Sequence, residues 1–470
     1  MKKIIFFELN EVPFRVMDEF CDRNPDSTFA KIRPQCHEYK TYAKDTGTLE
    51  PWVTWPSVHR GVSNQSHQIH DYNQPLDDVD HHYPPVWKIL KQKGIKTGVF
   101  ASLHSSPLPS NFADYDFYVP DPFASENVCH PPAISDFQAF NLAMSRISGK
   151  NVSSKLLLGP ASKVFLGAGK LGLRPATFVD VGRQITHEFL NPKVVGRRRI
   201  YQSVLAFDVF MKLLRRQKPE FATFFSNHVA SAMHRYWAAT FPSDYEENTV
   251  DPQWQESYKN EINFAMQKFD RFLSRLLRFV DRNQDYQIVI LGSMGQQATE
   301  TPNYASSIVK IVDMAALLNQ MGLEDGEWQV KAAMVPQVNL VIAESKKEHF
   351  RIALNSFSID GQTLSYREDE GGFFSLDFMF PDVQVSHAKL LDQTIAFQDL
   401  GLDNETLQDG VRASGWHTPE GAMLIYNPQA KAIRKNQKTS TLSICPTILE
   451  NYGIPVPDYM SSERVEVLSA

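Results

Sequence analysis

The stretch from about residue 256 to 291 restricts the possible folds most, because a long amphipathic helix there runs straight into a short apolar strand. Ile262, Met266, Phe269, Leu273, Leu276 and Val280 recur at three- and four-residue steps, which puts one apolar stripe along a helix of about 256–282. DYQIVILGSMG follows at once, an apolar run that ends in small residues and reads as a buried strand. A helix that delivers the chain into a core strand is the unit from which parallel sheets covered by helices are built. The opening KKIIFFELNEVP reads as another buried strand, Ile4 to Phe7, with Glu8, Asn10 and Glu11 at its carboxyl end, where open α/β sheets hold their sites. VWKILKQKG, stopped by Gly94, and IKTGVFASLH add a further helix and strand. The expected fold is therefore α/β, a doubly wound, mostly parallel sheet sandwiched by helices and carrying inserted cap segments.

At 470 residues the chain exceeds what one core usually holds, so core and insertions must alternate. The patterning suggests core at 1–120, a mainly helical cap insertion at 121–200, core at 201–300, an α+β insertion at 301–405 and core again at 406–470. With 42% apolar and 22% charged residues, the composition is that of a folded globular protein. A net charge of −6 and one short basic run, Arg197 to Arg199, speak against a nucleic-acid partner. No stretch reaches the ~18–20 apolar residues that span a bilayer, the N-terminal apolar run is too short for a signal peptide, and a cytoplasmic location is expected. The four cysteines show no ligand spacing and read as reduced, structural residues. The oligomeric state is not legible.

Four points in order along the chain carry chemistry. They are the strand ending in Glu8 (FELNE), the segment TWPSVHRGVSNQSHQI, the HRYW turn with its helix, and GWHTPEG followed by ICPTILENYGIPVP. Together they resemble the alkaline phosphatase superfamily, the group that includes nucleotide pyrophosphatases, phosphodiesterases, sulfatases and phosphomutases. The resemblance implies an alkaline phosphatase-like sheet and attack by a hydroxyl on phosphorus, assisted by divalent cations. The substrate class implied is a small-molecule phosphate or sulfate ester, sugar- or nucleotide-linked.

Carried onto this sequence, the resemblance makes Thr54 or Ser57 the catalytic hydroxyl. Either can instead be an ordinary helix cap. His234 and His417 fall on the family's positions for one metal, but Ala230 stands where a carboxylate is expected, and His228 or Glu8 would have to complete the set. Three such ligands with one open position suit zinc or another divalent cation, and hydrogen-bonded structural histidines are the alternative. For a second metal the family uses an Asp-His pair, and this chain has Ser293 and Met294, so a two-metal centre is not expected. Glu50, Trp52, Trp55 and His59 surround the hydroxyls and suit substrate binding, although the tryptophans suit core packing equally well. Two functions follow: a phosphate-ester hydrolase or phosphotransferase with at most one metal, or an inactive relative that binds an anionic ligand or a protein partner.

Overall fold

The computed structural model describes residues 2–72, 74–147, 159–331, 333, 337–430 and 433–465. An eight-stranded sheet organises the larger of two compact units. Its first strands in chain order are β1 (Lys3–Leu9), β2 (His37–Tyr42), β3 (Thr97–Phe100), β4 (Phe117–Val119), β5 (Phe221–Ser226) and β6 (Tyr286–Leu291). Two late strands, Glu420–Tyr426 and Gln437–Ser440, complete it. Across the sheet the order is Gln437–Ser440, β2, Glu420–Tyr426, β6, β1, β5, β3, β4. Every described pairing is parallel except those of Glu420–Tyr426, which runs antiparallel between β2 and β6.

The centre of the sheet is buried on both faces, as expected where helices cover a parallel sheet. Ile4, Ile5, Phe6 and Phe7 in β1 are all buried. Successive side chains of a strand point to opposite faces, and β1 shows what each face meets. Phe7 packs its ring against Phe207 of the helix Arg198–Gln217 and Phe269 of the helix Glu261–Val280. Its neighbour Glu8 reaches the opposite way, to His59 of the helix Pro51–Arg60. Helices thus cover both faces, in the doubly wound arrangement that the sequence pattern suggests.

The described residues of 121–200 are largely helical: Ser135–Ile147, Pro160–Leu166, Ala168–Leu171 and Pro175–Leu190. Residues 148–158 of that expected insertion lie outside the described residues. From residue 159 on, the segment is tied into the larger unit through Asp208, which accepts from Thr177 Oγ1 at 2.6 Å and from the Arg174 amide at 3.0 Å. The second unit contains Asn303–Arg412, against the 301–405 suggested by sequence. It has its own four-stranded antiparallel sheet, in the order Ser365–Asp369, Phe373–Asp377, Gln337–Ile342, Trp328–Lys331. Its core includes Leu340, Phe350, Phe357 and Phe374.

Candidate metal centre

Parallel register decides which side chains meet. Glu8 of β1 lies beside Phe225 of β5 and Leu291 of β6, so the carboxyl ends of all three strands fall on one line. The residues that follow them, Asn10-Glu11, Asn227-His228 and Gly292-Ser293-Met294, therefore share one edge of the sheet. Asn10 Nδ2 donates to Asn227 Oδ1 at 2.7 Å and ties two of these ends together. The antiparallel strand Glu420–Tyr426 pairs Met423 with Leu291, so the residues just before it, His417 among them, arrive at the same edge.

Glu11, His234 and His417 converge there, with one donor atom from each lying within 4.8 Å of the others. Glu11 Oε2 is 3.0 Å from His234 Nε2 and 3.4 Å from His417 Nε2. Ligands bonded to a tetrahedral zinc ion at ~2.0–2.1 Å stand about 3.3 Å apart, so these separations are those of ligands sharing one ion. The His417 side chain is only 5% exposed, and its Nε2 faces Glu11 at slightly more than hydrogen-bond optimum. The outer contacts are those of ligating imidazoles. His234 Nδ1 lies 2.9 Å from the Gly415 carbonyl, which requires the proton on Nδ1, so that in the neutral ring the Nε2 lone pair faces Glu11. His417 Nδ1 faces Glu50 Oε2 at 3.6 Å. The donor set fits a divalent cation with an open fourth position.

The same groups are coupled electrostatically. Burial raises the Glu11 carboxyl, but the His417 and His234 imidazoles outweigh burial and hold the group well below the usual carboxylate range. Burial lowers the His417 imidazole, and Glu11 outweighs it, so the net direction is upward. Burial pushes the Glu50 carboxyl up to about 7, opposed by His417 and assisted by Glu11. Glu11 also has a positive φ of 61°, a left-handed conformation costing an L residue roughly 1–2 kcal/mol. That turn carries its carboxylate off the strand line towards the two histidines.

The ligand set expected from sequence needs correcting at two positions. Glu8 is buried beneath the helix Pro51–Arg60, 2.9 Å from His59 Nε2 and accepting from Ser102 Oγ at 3.0 Å. His228 lies six residues before His234, about 120° round the helix, and turns towards the opposite sheet face. Its Nδ1 is 2.7 Å from Ser226 Oγ, its ring packs on Phe272, and burial lowers it to about 3. The carboxylate that stands beside His234 and His417 is Glu11, three residues past Glu8.

No family model matches the chain, and no curated protein matches it. Among solved structures it is similar to murine ectonucleotide pyrophosphatase/phosphodiesterase 5, at 9% identity over 97% of this chain and 96% of that one, with a TM-score of 0.43. It is also similar to phosphonoacetate hydrolase from Sinorhizobium meliloti 1021, at 14% identity over 94% of each chain, with a TM-score of 0.39. Identity this low leaves the chemistry of the site to this chain's own residues.

Those residues divide into a gathered group and a packed one. Every residue of the helix Pro51–Arg60 is buried, and Gly61, at φ 68°, ends it. Trp55 is enclosed, its Nε1 donating to Asn10 Oδ1 at 2.7 Å and its ring stacked on His59. His59 also meets Trp87 edge-on. Trp52 is buried against Tyr72. These three side chains, expected to bind substrate, are interior packing, and of that set Glu50 alone reaches the metal group. Thr54 Oγ1 lies 2.8 Å from Ser293 Oγ and 3.2 Å from the Glu50 carbonyl. Met294 is buried beside Ser293. Ser57 donates to Asp45 and lies 2.9 Å from His67 Nε2.

Sequence reasoning placed Glu11 at the strand end without making it a ligand, and passed over Gln296 and Trp416. Gln296 Nε2 donates to Glu11 Oε2 and, at 3.3 Å, to the Ala230 carbonyl, so the amide steadies the acid. Trp416 is 47% exposed, and its ring meets His234 edge-on at 5.5 Å. The available signal was a tryptophan directly preceding a candidate ligand, in Gly415-Trp416-His417.

Proposed function

We propose that this chain is a phosphate-ester hydrolase or phosphotransferase that works with one divalent cation, zinc being the best fit, held by Glu11, His234 and His417. The observation that carries the reading is the convergence of the three side chains on one point, Glu11 Oε2 standing 3.0 Å from His234 Nε2 and 3.4 Å from the enclosed His417 Nε2. When bound, such an ion supplies Lewis-acid polarisation of a phosphoryl oxygen and lowers the pKa of a coordinated hydroxyl or water. Glu50 orients His417, and Gln296 orients Glu11. Thr54 is the favoured hydroxyl, because it lies against the backbone of Glu50, the residue just before its helix that faces His417, whereas Ser57 is turned to Asp45 and His67. Trp416 offers an exposed aromatic face for a sugar- or nucleotide-linked ester. The four free cysteines fit a reducing compartment, and a cytoplasmic location is part of the proposal.

The test is elemental analysis of the purified chain together with turnover of chromogenic phosphodiesters and phosphomonoesters. We expect about one zinc per chain, turnover lost on chelation and regained with zinc, and Thr54→Ala inactive with its zinc retained. A chain that neither retains nor takes up zinc sinks the proposal. A specific observation favours a second reading, an inactive anion binder: Thr54 is fully buried, and Ser293 and Met294 stand where a second metal would need ligands. Bound zinc with no turnover across the panel would select it.

A further inference from the structure

The helix Pro175–Leu190 is inside out. Its buried positions are Thr177, Gln184 and Glu188, and the protein satisfies each of them. Thr177 donates to Asp208, Gln184 Nε2 donates to the Val194 carbonyl at 3.0 Å, and Glu188 pairs with Arg198 at 2.6 Å. Four of its large apolar side chains are exposed, Val179 at 52%, Ile185 at 39%, Phe189 at 83% and Leu190 at 81%. At about 100° per residue, Ile185, Phe178, Phe189, Val179 and Leu190 fall in one outward sector of about 140°, shared with Pro175, Gly182 and Thr186. A surface helix ordinarily presents the reverse arrangement. The neighbouring helix Pro160–Leu166 extends the sector. Phe165 packs on Phe178 at 5.5 Å, and Leu166 is 89% exposed. Leu166, Phe189 and Leu190 are the three most exposed large hydrophobic side chains among the described residues.

The charge around this face decides what covers it. Lys163, Lys170, Arg174, Arg183 and Lys193 are all exposed within the same stretch, in a chain whose net charge is −6. The two acids of the stretch are drawn inward, Asp180 to Lys268 at 2.5 Å and Glu188 to Arg198. An apolar face rimmed by cations matches the head-group region of an anionic bilayer, where hydrocarbon enters the interface and lysines and arginines meet phosphate. A second copy docked on the same face would set cationic rim against cationic rim. We propose that the outward face of Pro175–Leu190 and Pro160–Leu166 docks on the surface of an anionic lipid membrane. No described helix is long and apolar enough to cross a membrane, so the contact is one of lying on the surface.

The test is flotation of the full chain with vesicles of phosphatidylcholine alone and of phosphatidylcholine mixed with phosphatidylserine. The chain should float with the mixed vesicles, less with the neutral ones, and less again as salt is raised. Replacing Phe189 and Leu190 together by Asp should weaken binding by at least about tenfold. Lys163→Glu with Arg183→Glu should weaken binding to the mixed vesicles selectively. All four side chains are exposed, so unfolding temperatures should stay at the wild-type value. Equal partition onto both vesicle types, or binding that survives the Phe189/Leu190 change, overturns the proposal. So does a dimer in sedimentation velocity that the same change dissolves while vesicles capture neither protein.

Discussion

Glu8 and Glu11 stand three residues apart at the end of one strand, and their carboxylates live in opposite chemical surroundings. Glu8 faces groups that bring hydrogens to it. Ser102 donates to it and the His59 ring lies against it, while Ser102 is also bonded to Thr223 Oγ1 at 2.7 Å. Glu11 faces imidazole nitrogens, and His234 is held by the Gly415 carbonyl so that its lone pair points at the Glu11 oxygen. Lone pairs facing each other at 3.0 Å need a proton or a cation between them. A buried polar cluster is therefore not by itself a site. What separates the two groups is that Glu8 meets a single, fully enclosed imidazole, whereas Glu11 meets two at ligand spacing.

The largest expected effect lies on the Glu8 side. Glu8→Ala strands a buried imidazole and a buried hydroxyl and should cost about 3–5 kcal/mol of stability while leaving zinc content unchanged. Urea unfolding with metal analysis of the folded fraction measures both. Zinc lost with stability intact would erase the distinction between the two carboxylates. The Glu11 side should behave conversely. His417→Ala removes one of three ligands and should weaken zinc binding by about 10²–10³-fold, roughly 3–4 kcal/mol, taking a ligand's share of a typical structural-zinc binding free energy. Without zinc its unfolding curve should lie near wild type. With excess zinc the wild-type curve should rise and the variant's should not. A variant that unfolds early without metal would make His417 another packing residue.

These contrasts also mark what the sequence could disclose. The helix at 256–282 and its strand are legible because a 3.6-residue stripe and an unbroken apolar run survive any context, and the structure has Glu261–Val280 and Tyr286–Leu291 there. His234 and His417 stand out because few side chains other than imidazoles offer nitrogen ligands. Glu11 does not stand out, since its part depends on a left-handed turn that no residue type announces. Trp52, Trp55 and His59 misled for a different reason. A helix buried on every side carries the same Thr, Ser, His and Trp as a helix lining a cleft, and only its surroundings tell them apart. Pro175–Leu190 hid in the same way, because polar residues recurring at helical spacing read as a solvent face.

Ser57 gives the smallest and most discriminating effect. Ser57, Asp45 and His67 look like a nucleophile with its base and acid, but the protons run the wrong way. The Ile69 amide donates to His67 Nδ1 at 2.9 Å, which puts the imidazole's proton on Nε2. Nε2–H then donates to Ser57 Oγ, and Ser57 passes its own hydrogen to Asp45, which also accepts from the Asn64 amide at 2.9 Å. Burial lowers the His67 imidazole to about 3, so the ring stays neutral with no lone pair turned to the hydroxyl. A general base needs that lone pair. Ser57→Ala should therefore cost about 1–2 kcal/mol for one buried Nε2–H left without an acceptor. Zinc content, and turnover per folded molecule, should stay near wild type. Turnover abolished in a folded, zinc-loaded Ser57→Ala protein would make this serine the nucleophile and move the chemistry to the side of the helix that the hydrogen bonds describe as scaffold.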